Sequence, residues 1–246
     1  MTLTPEEFFL FGHNGYLLVV QALPPEMCHQ LTSTIAQHAA QRVPPLVCED
    51  PDRPGYGKPG DLPNARVIRL SKVLARDPIF RQAASAPSLV AVLQDLLGPH
   101  VDVVLNRHNH VTLRPPGVAQ LEWHRDAANW SRPIVSAVFY LEDSTLENGC
   151  TWVLPGSHHM LAYHARLEGH GRMDSLARLG QQALPVLAKA GDVLLFNGLL
   201  LHGAGANHTE ATRMSMTLGY HAVDELGLPE EKHKSLITGE RILRHN

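Results

Sequence analysis

Cysteine is scarce in this chain. Cys28, Cys48 and Cys150 are odd in number and far apart, which excludes a disulfide framework and a thiolate zinc cluster and fits free thiols in a reducing compartment. No apolar run approaches the length of a membrane span, and the first residues lack the basic segment followed by an apolar core that marks a secretory signal. A cytoplasmic location is the expectation. Neither charge sign dominates: the formal net charge is -3 and the sequence pI is near 6.6, so there is no basic footprint for nucleic acid or an acidic membrane. There is no internal repeat, and no G-x-S-x-G elbow for a serine hydrolase. Gly55-Tyr56-Gly57-Lys58-Pro59-Gly60 matches the dinucleotide pattern only in letters. No strand leads into it, Pro59 sits where a helix should run, and no parallel βαβ unit surrounds it.

What the chain does have is an ordinary globular composition, 44% hydrophobic and 18% charged over 246 residues, enough for a single domain with a sizeable core. Thr4-Pro5-Glu6-Glu7 reads as a capped helix start, residues 16–20 as a short buried strand, and residues 24–41 as an amphipathic helix with Met27, Leu31, Ile35 and Ala39 on one face. Residues 44–64 are rich in proline and glycine and read as a long lid loop. A second helical region spans 78–97. Short apolar runs separated by turn residues then follow at 101–113, 119–123, 134–141, 151–154, 184–188, 193–196, 199–201 and 214–221. About eight strands behind a helical front predict a mainly β fold with α: a double-stranded β-helix, or cupin-like jelly roll, with N-terminal helices packed on one sheet. The expected layout is one domain over 1–246. It comprises a helical layer at 1–100 with the lid at 44–64, a jelly-roll core at 101–221 and a C-terminal extension at 222–246.

Sixteen histidines are the one compositional excess, and one of them anchors the functional reading. In Glu122-Trp123-His124-Arg125-Asp126, the His-x-Asp spacing puts both side chains on one face at a strand end. A second imidazole, His202, would complete two histidines and one carboxylate on one face of an octahedron. Imidazole suits Fe(II), carboxylate adds a hard anionic donor, and three positions stay open for a cosubstrate and O2. Arg213, just downstream near the start of the next strand, supplies the guanidinium fork that clamps a distal carboxylate.

Trp123-His124-Arg125-Asp126, Glu147-Asn148-Gly149-Cys150 running to Pro155-Gly156-Ser157-His158, Gly191-Asp192-Val193-Leu194-Leu195-Phe196 running to His202-Gly203, and finally Arg213 together resemble the phytanoyl-CoA dioxygenase (PhyH) family of Fe(II)/2-oxoglutarate oxygenases, in order and spacing. The resemblance implies that His124, Asp126 and His202 bind iron and that Arg213 holds the C5 carboxylate of 2-oxoglutarate. It assigns Trp130 to the wall of the cosubstrate or substrate pocket. His108 is assigned a polar contact to 2-oxoglutarate, a role that a one-residue shift of register would pass to Asn106 or Asn109. Family members often carry a serine two positions after the distal histidine; Ala204 stands there. The reaction implied is hydroxylation of an unactivated carbon with O2, releasing succinate and CO2, and Asp126 argues against halogenation, because related halogenases have a small residue at that position. Desaturation, epoxidation and rearrangement share the site.

The expected substrate is a small molecule such as an amino acid derivative or a natural-product intermediate, on a monomer or homodimer without nucleic acid or membrane partners. Arg66, Arg69, Lys72 and Arg107 are candidates to meet an anionic group. Pro155-Gly156-Ser157-His158 reads as a structural turn rather than a metal site, followed by a second lid over 158–182. Two other classes use the same residues differently: a divalent-metal hydrolase or isomerase would need no Arg213, and a non-catalytic jelly-roll binding module would use the histidines structurally.

Overall fold

A computed structural model of the chain describes residues 2–49, 58–59, 65–118, 121–126, 134–160, 180–224 and 231–241. Helix α1 (Pro5–Asn14) begins where Thr4 accepts from the Glu7 N–H at 3.2 Å while the Glu7 carboxylate accepts from the Thr4 N–H at 2.8 Å, so each side chain satisfies a backbone donor at the helix start. It stops at Gly15, whose φ of +83° suits a residue without Cβ. Strand β1 (Tyr16–Val19) follows, then α2 (Pro25–Ala40), which buries Cys28, Leu31 and Ile35. Next come β2 (Leu46–Glu49), β3 (Lys58–Pro59) and β4 (Arg66–Ser71). Helices α3 (Pro78–Ala84) and α4 (Pro87–Leu97) occupy the expected helical region 78–97. It is two helices because Pro87 cannot continue α3 and disfavours helical backbone in the residue before it.

The remaining strands are β5 (Val101–Val104), β6 (Asn109–Arg114), β7 (Leu121–His124), β8 (Val135–Tyr140), β9 (Thr151–Val153), β10 (Leu184–Val186), β11 (Val193–Asn197), β12 (His202–Ala204), β13 (Arg213–Ala222) and β14 (Lys234–Thr238). They form two sheets. The larger runs β1-β11-β8-β13-β6-β4-β2-β3, with β5 pairing the far end of β13 and β14 pairing β5; the smaller runs β10-β9-β12-β7. Every pairing given for these strands is antiparallel.

The middle of the large sheet is buried on both faces, which is why β11 has no polar alternation. Val193 and Leu195 join the core under the helices, with Leu31, Phe80, Leu93 and Phe139. Leu194 and Phe196 point the other way, into a second core between the sheets with Tyr140, Val153 and Val186. Fold class is as expected: mainly β, two antiparallel sheets face to face, helices on the outer face of one.

Three local expectations need correction, and the C-terminal extension gains a strand. The span 44–64 is not all loop, since β2 pairs with β4 from Leu46↔Leu70 to Glu49↔Arg66; proline and glycine nearby hid the short apolar run Leu46-Val47-Cys48. Residues 101–113 are two strands, broken at 105–108, where His108 takes φ +44°. Residues 199–201 form a turn rather than a strand, and β12 begins only at His202. The C-terminal extension contributes β14, fastened where Arg241 Nη1 donates to the fully buried Asp102 carboxylate.

Candidate active site

Strand pairing gathers the site. His124 ends β7 and His202 opens β12, and the two residues lie directly opposite each other in the small sheet, their rings 4.2 Å apart between centroids. Asp126, two residues past His124, turns its carboxylate toward the pair: Oδ1 lies 3.8 Å from His124 Nε2 and 3.6 Å from His202 Nε2. One donor atom from each of the three lies within 4.8 Å of the others.

The surrounding groups set which atoms face that point. His202 Nδ1 lies 3.0 Å from the Leu200 carbonyl oxygen, so Nδ1 carries the proton and Nε2 presents its lone pair. Burial holds this imidazole neutral, lowering its pKa to about 4. Asp126 Oδ2 accepts from Ser136 Oγ at 2.6 Å, which leaves Oδ1 toward the histidines. Burial opposes ionisation of Asp126, yet the imidazoles of His202, His108 and His124 and the Ser136 hydroxyl outweigh it and hold its pKa below the ordinary value. A neutral imidazole with a fixed tautomer and an oriented carboxylate are what a divalent transition metal takes. Phe196 closes one side, its ring 4.5 Å from that of His202.

Beside this triad lies a cavity of about 320 Å³, at the lower end of small-molecule sites. Arg213, the first residue of β13, lines it and is buried. Its Nη1 lies 3.5 Å from Ser144 Oγ, and its Nε has no hydrogen-bond partner among the described residues. A buried guanidinium with unused donors is costly unless a ligand completes it. On the neighbouring strand β8, Tyr140 pairs with Ser215; its hydroxyl donates to Thr151 Oγ1 at 2.9 Å and is pushed up to about 12 by burial, so it stays neutral.

His108 also lines the cavity: its Nε2 lies 3.3 Å from the Asp126 carbonyl oxygen and its Nδ1 3.7 Å from Asp126 Oδ1. Asn106 is a correction. It sits exposed on the turn between β5 and β6, away from the cavity lining, because the strand that would have aimed it inward is broken there. Asn109 faces the helices, its Oδ1 accepting from the Leu74 N–H. Trp130 and most of the second lid lie outside the described residues. Arg69 reaches the cavity and bonds His110 Nε2 at 3.0 Å; Arg66 instead pairs with Glu49 at 3.1 Å. In the Pro155-Gly156-Ser157-His158 turn, Ser157 Oγ accepts from the Leu201 N–H at 2.8 Å and His158 Nε2 bonds the Gly12 carbonyl. These are structural contacts, as expected.

Three residues of the site were not foreseen: Arg114 and Arg125, which line the cavity, and Ser136, which bonds Asp126. Ser136 was visible only as a lone hydroxyl in the apolar run 134–141. Arg125 lies inside the central motif, and its guanidinium donates to the carbonyls of Ser157 at 3.0 Å and of Leu199. Arg114, last residue of β6, lies opposite Arg213. Nothing local in the sequence announces which face it takes.

Comparison with known proteins bears on the family and the fold. The family model for phytanoyl-CoA dioxygenase (PhyH) matches residues 11–215. The dioxygenase aneA of Aspergillus aculeatus is 28% identical, over 89% of this chain and 72% of its own. The human peroxisomal phytanoyl-CoA dioxygenase is 23% identical, over 96% of this chain and 75% of its own. In structure, EctD from S. alaskensis with bound Fe superposes with a TM-score of 0.70 at 22% identity, covering 90% of this chain and 78% of that one. The carbocyclase SnoK from nogalamycin biosynthesis gives 0.69 at 17%, covering 91% and 85%; these two speak to the fold. With a family model spanning most of the strand framework and every residue from His124 to Arg213, the chain belongs to the phytanoyl-CoA dioxygenase family and is a dioxygenase.

Proposed function

We propose that this dioxygenase works with Fe(II) held by His124, Asp126 and His202 and with 2-oxoglutarate held at its distal carboxylate by Arg213, hydroxylating an unactivated carbon of a small molecule. The observation that carries the reading is the convergence of three oriented donor atoms within 4.8 Å of one another, next to a cavity whose wall holds the buried Arg213. The donor set fits the metal: two neutral nitrogens and one anionic oxygen leave half of an octahedron for other ligands. Bound there, iron and the keto acid supply the activation of O2, with succinate and CO2 as by-products.

The chain's own residues do the positioning. Leu200 O fixes the His202 tautomer, Ser136 fixes the Asp126 rotamer, and Phe196 keeps bulk water from one side of the imidazole. Arg213 meets the cosubstrate by charge-assisted hydrogen bonds, and its burial removes the competition of water for them. The small cavity favours a compact substrate such as an amino acid derivative or a natural-product intermediate; the nogalamycin-pathway carbocyclase and EctD share this fold. The hydrolase and binding-module readings give no use for a buried arginine beside the triad.

The test is an anaerobic titration of apoprotein with Fe(II) and then 2-oxoglutarate, following the visible metal-to-ligand charge-transfer band. The wild type should give the band, and Asp126→Ala and Arg213→Ala should lose or weaken it. Folded, iron-loaded wild type that gives no band would sink the proposal.

A further inference from the structure

Two of the three proposed ligands, His124 and Asp126, sit at and just past the end of β7, which lies at the edge of the small sheet beside β12. The ladder between β7 and β12 is short and irregular: His202 lies opposite His124, Ala204 lies opposite Leu121, and the register shifts between them. A shift of this kind bends a strand and interrupts its regular hydrogen bonds. The spacing of His124 from His202 therefore calls for a second tie.

Arg125 supplies one. Its Nη1 donates to the Ser157 carbonyl at 3.0 Å and to the Leu199 carbonyl, and its Nη2 reaches the Met160 carbonyl at 3.5 Å. One side chain thus joins the segment that carries His124 and Asp126 to the turn over 157–160 and to the turn that delivers His202. The Leu199 contact matters most. The next carbonyl along the chain, that of Leu200, receives His202 Nδ1–H, and the N–H groups of Leu199, Leu200 and Leu201 are taken up by Asn197 and Ser157. Holding the Leu199 carbonyl fixes the rotation of its peptide, and with it the carbonyl that sets the His202 ring.

The residue type fits this task. A guanidinium is a rigid planar fork with five N–H donors, able to serve several carbonyls from one position, whereas an ammonium is a single point on a flexible stem. Arg125 is half-buried and burial lowers its pKa. A cation at that depth is costly unless other dipoles replace its water, and the carbonyls of the two turns do so.

We infer that Arg125 is a positioning residue of the proposed metal centre: by tying the His124–Asp126 segment to the turn before His202, it sets the spacing and ring orientation of the ligands. It lends no atom to the metal. The inference rests on the ligand assignment above and is independent of the keto acid.

The probe is Co(II), whose visible ligand-field bands report the geometry of its donors, titrated into apoprotein; bands lost in Asp126→Ala identify the site. In Arg125→Met the Kd for Co(II) should rise about tenfold to a hundredfold, and the bands of the saturated protein should move. Arg125→Lys, which keeps the charge and loses the fork, should fall in between. Tyr220→Phe is the control for stability alone: it removes a hydroxyl that donates to the Ala84 carbonyl at 2.9 Å, in the core under the helices, and should keep the wild-type Kd and bands. Wild-type Kd and bands in Arg125→Met, or changes that Tyr220→Phe reproduces at an equal loss of unfolding midpoint, would overturn the inference. If Arg125→Met does not fold, Arg125→Lys decides by the same two readings: moved bands support the inference, and unmoved bands overturn it. Wild-type protein that takes up no Co(II) at this site overturns the ligand assignment and the inference with it, whereas Co(II) bands in a wild type that gives no charge-transfer band with Fe(II) and 2-oxoglutarate overturn the cosubstrate reading alone.

Discussion

Ser136 shows how a single hydroxyl orients a side chain proposed as a metal ligand. By donating to Asp126 Oδ2 at 2.6 Å it removes one of the carboxylate's two faces from competition and leaves Oδ1 toward the imidazoles. Ser136→Ala frees the rotamer, and Fe(II) affinity should fall about tenfold to a hundredfold, read by titration against a competing chelator, with little change in unfolding midpoint. The residues proposed to carry the chemistry could be picked out because their signal lies in local spacing: His124 and Asp126 are two apart, and His202 and Arg213 are linked by short order. Ser136 and Arg114 were not, because their partners lie on other strands and register alone brings them together. Asn106 failed for the complementary reason. A strand break at 105–108 reset the alternation that the sequence pattern had carried through.

At the scale of elements, the turn between β11 and β12 is the part that delivers His202, and it is pinned from several sides. Asn197 Oδ1 accepts from the Leu199 N–H, the Leu154 N–H donates to the Leu201 carbonyl, Arg125 holds the Leu199 carbonyl, and Ser157 Oγ takes the Leu201 N–H. Ser157→Ala leaves the Leu201 N–H without its acceptor in the interior. It should cost about 1–3 kcal/mol in urea denaturation and weaken Fe(II) binding as well, because the next residue, His202, is a proposed ligand. This element explains a misread strand: Leu199-Leu200-Leu201 is apolar because it is buried, and burial here comes from a tightly bonded turn. The helices were easier to place. Thr4 with Glu7 and the four-residue spacing of Leu31 and Ile35 are local signals, whereas β2 and β14 owe their existence to partners far along the chain.

For the whole molecule, buried neutral imidazoles tie stability to acidity. Burial lowers His110 to about 3, with the adjacent Arg69 adding to the shift, and lowers His202 to about 4. Below the ordinary histidine value near 6.5 the unfolded chain takes up these protons while the folded one refuses them. Stability is thus intact well above about pH 6.5 and is lost as pH falls, by about 3 kcal/mol between pH 6.5 and 5 for the two groups in the apoprotein. Urea midpoints across that range check this, and His110→Gln should remove about half of the slope. The same architecture divides the labour of the site. His124 and His202 belong to the small sheet, Arg114 and Arg213 to the large one. On the reading proposed above, the metal and the keto acid together form a crossbeam between these two walls, and removing them takes away a tie that joins one sheet to the other.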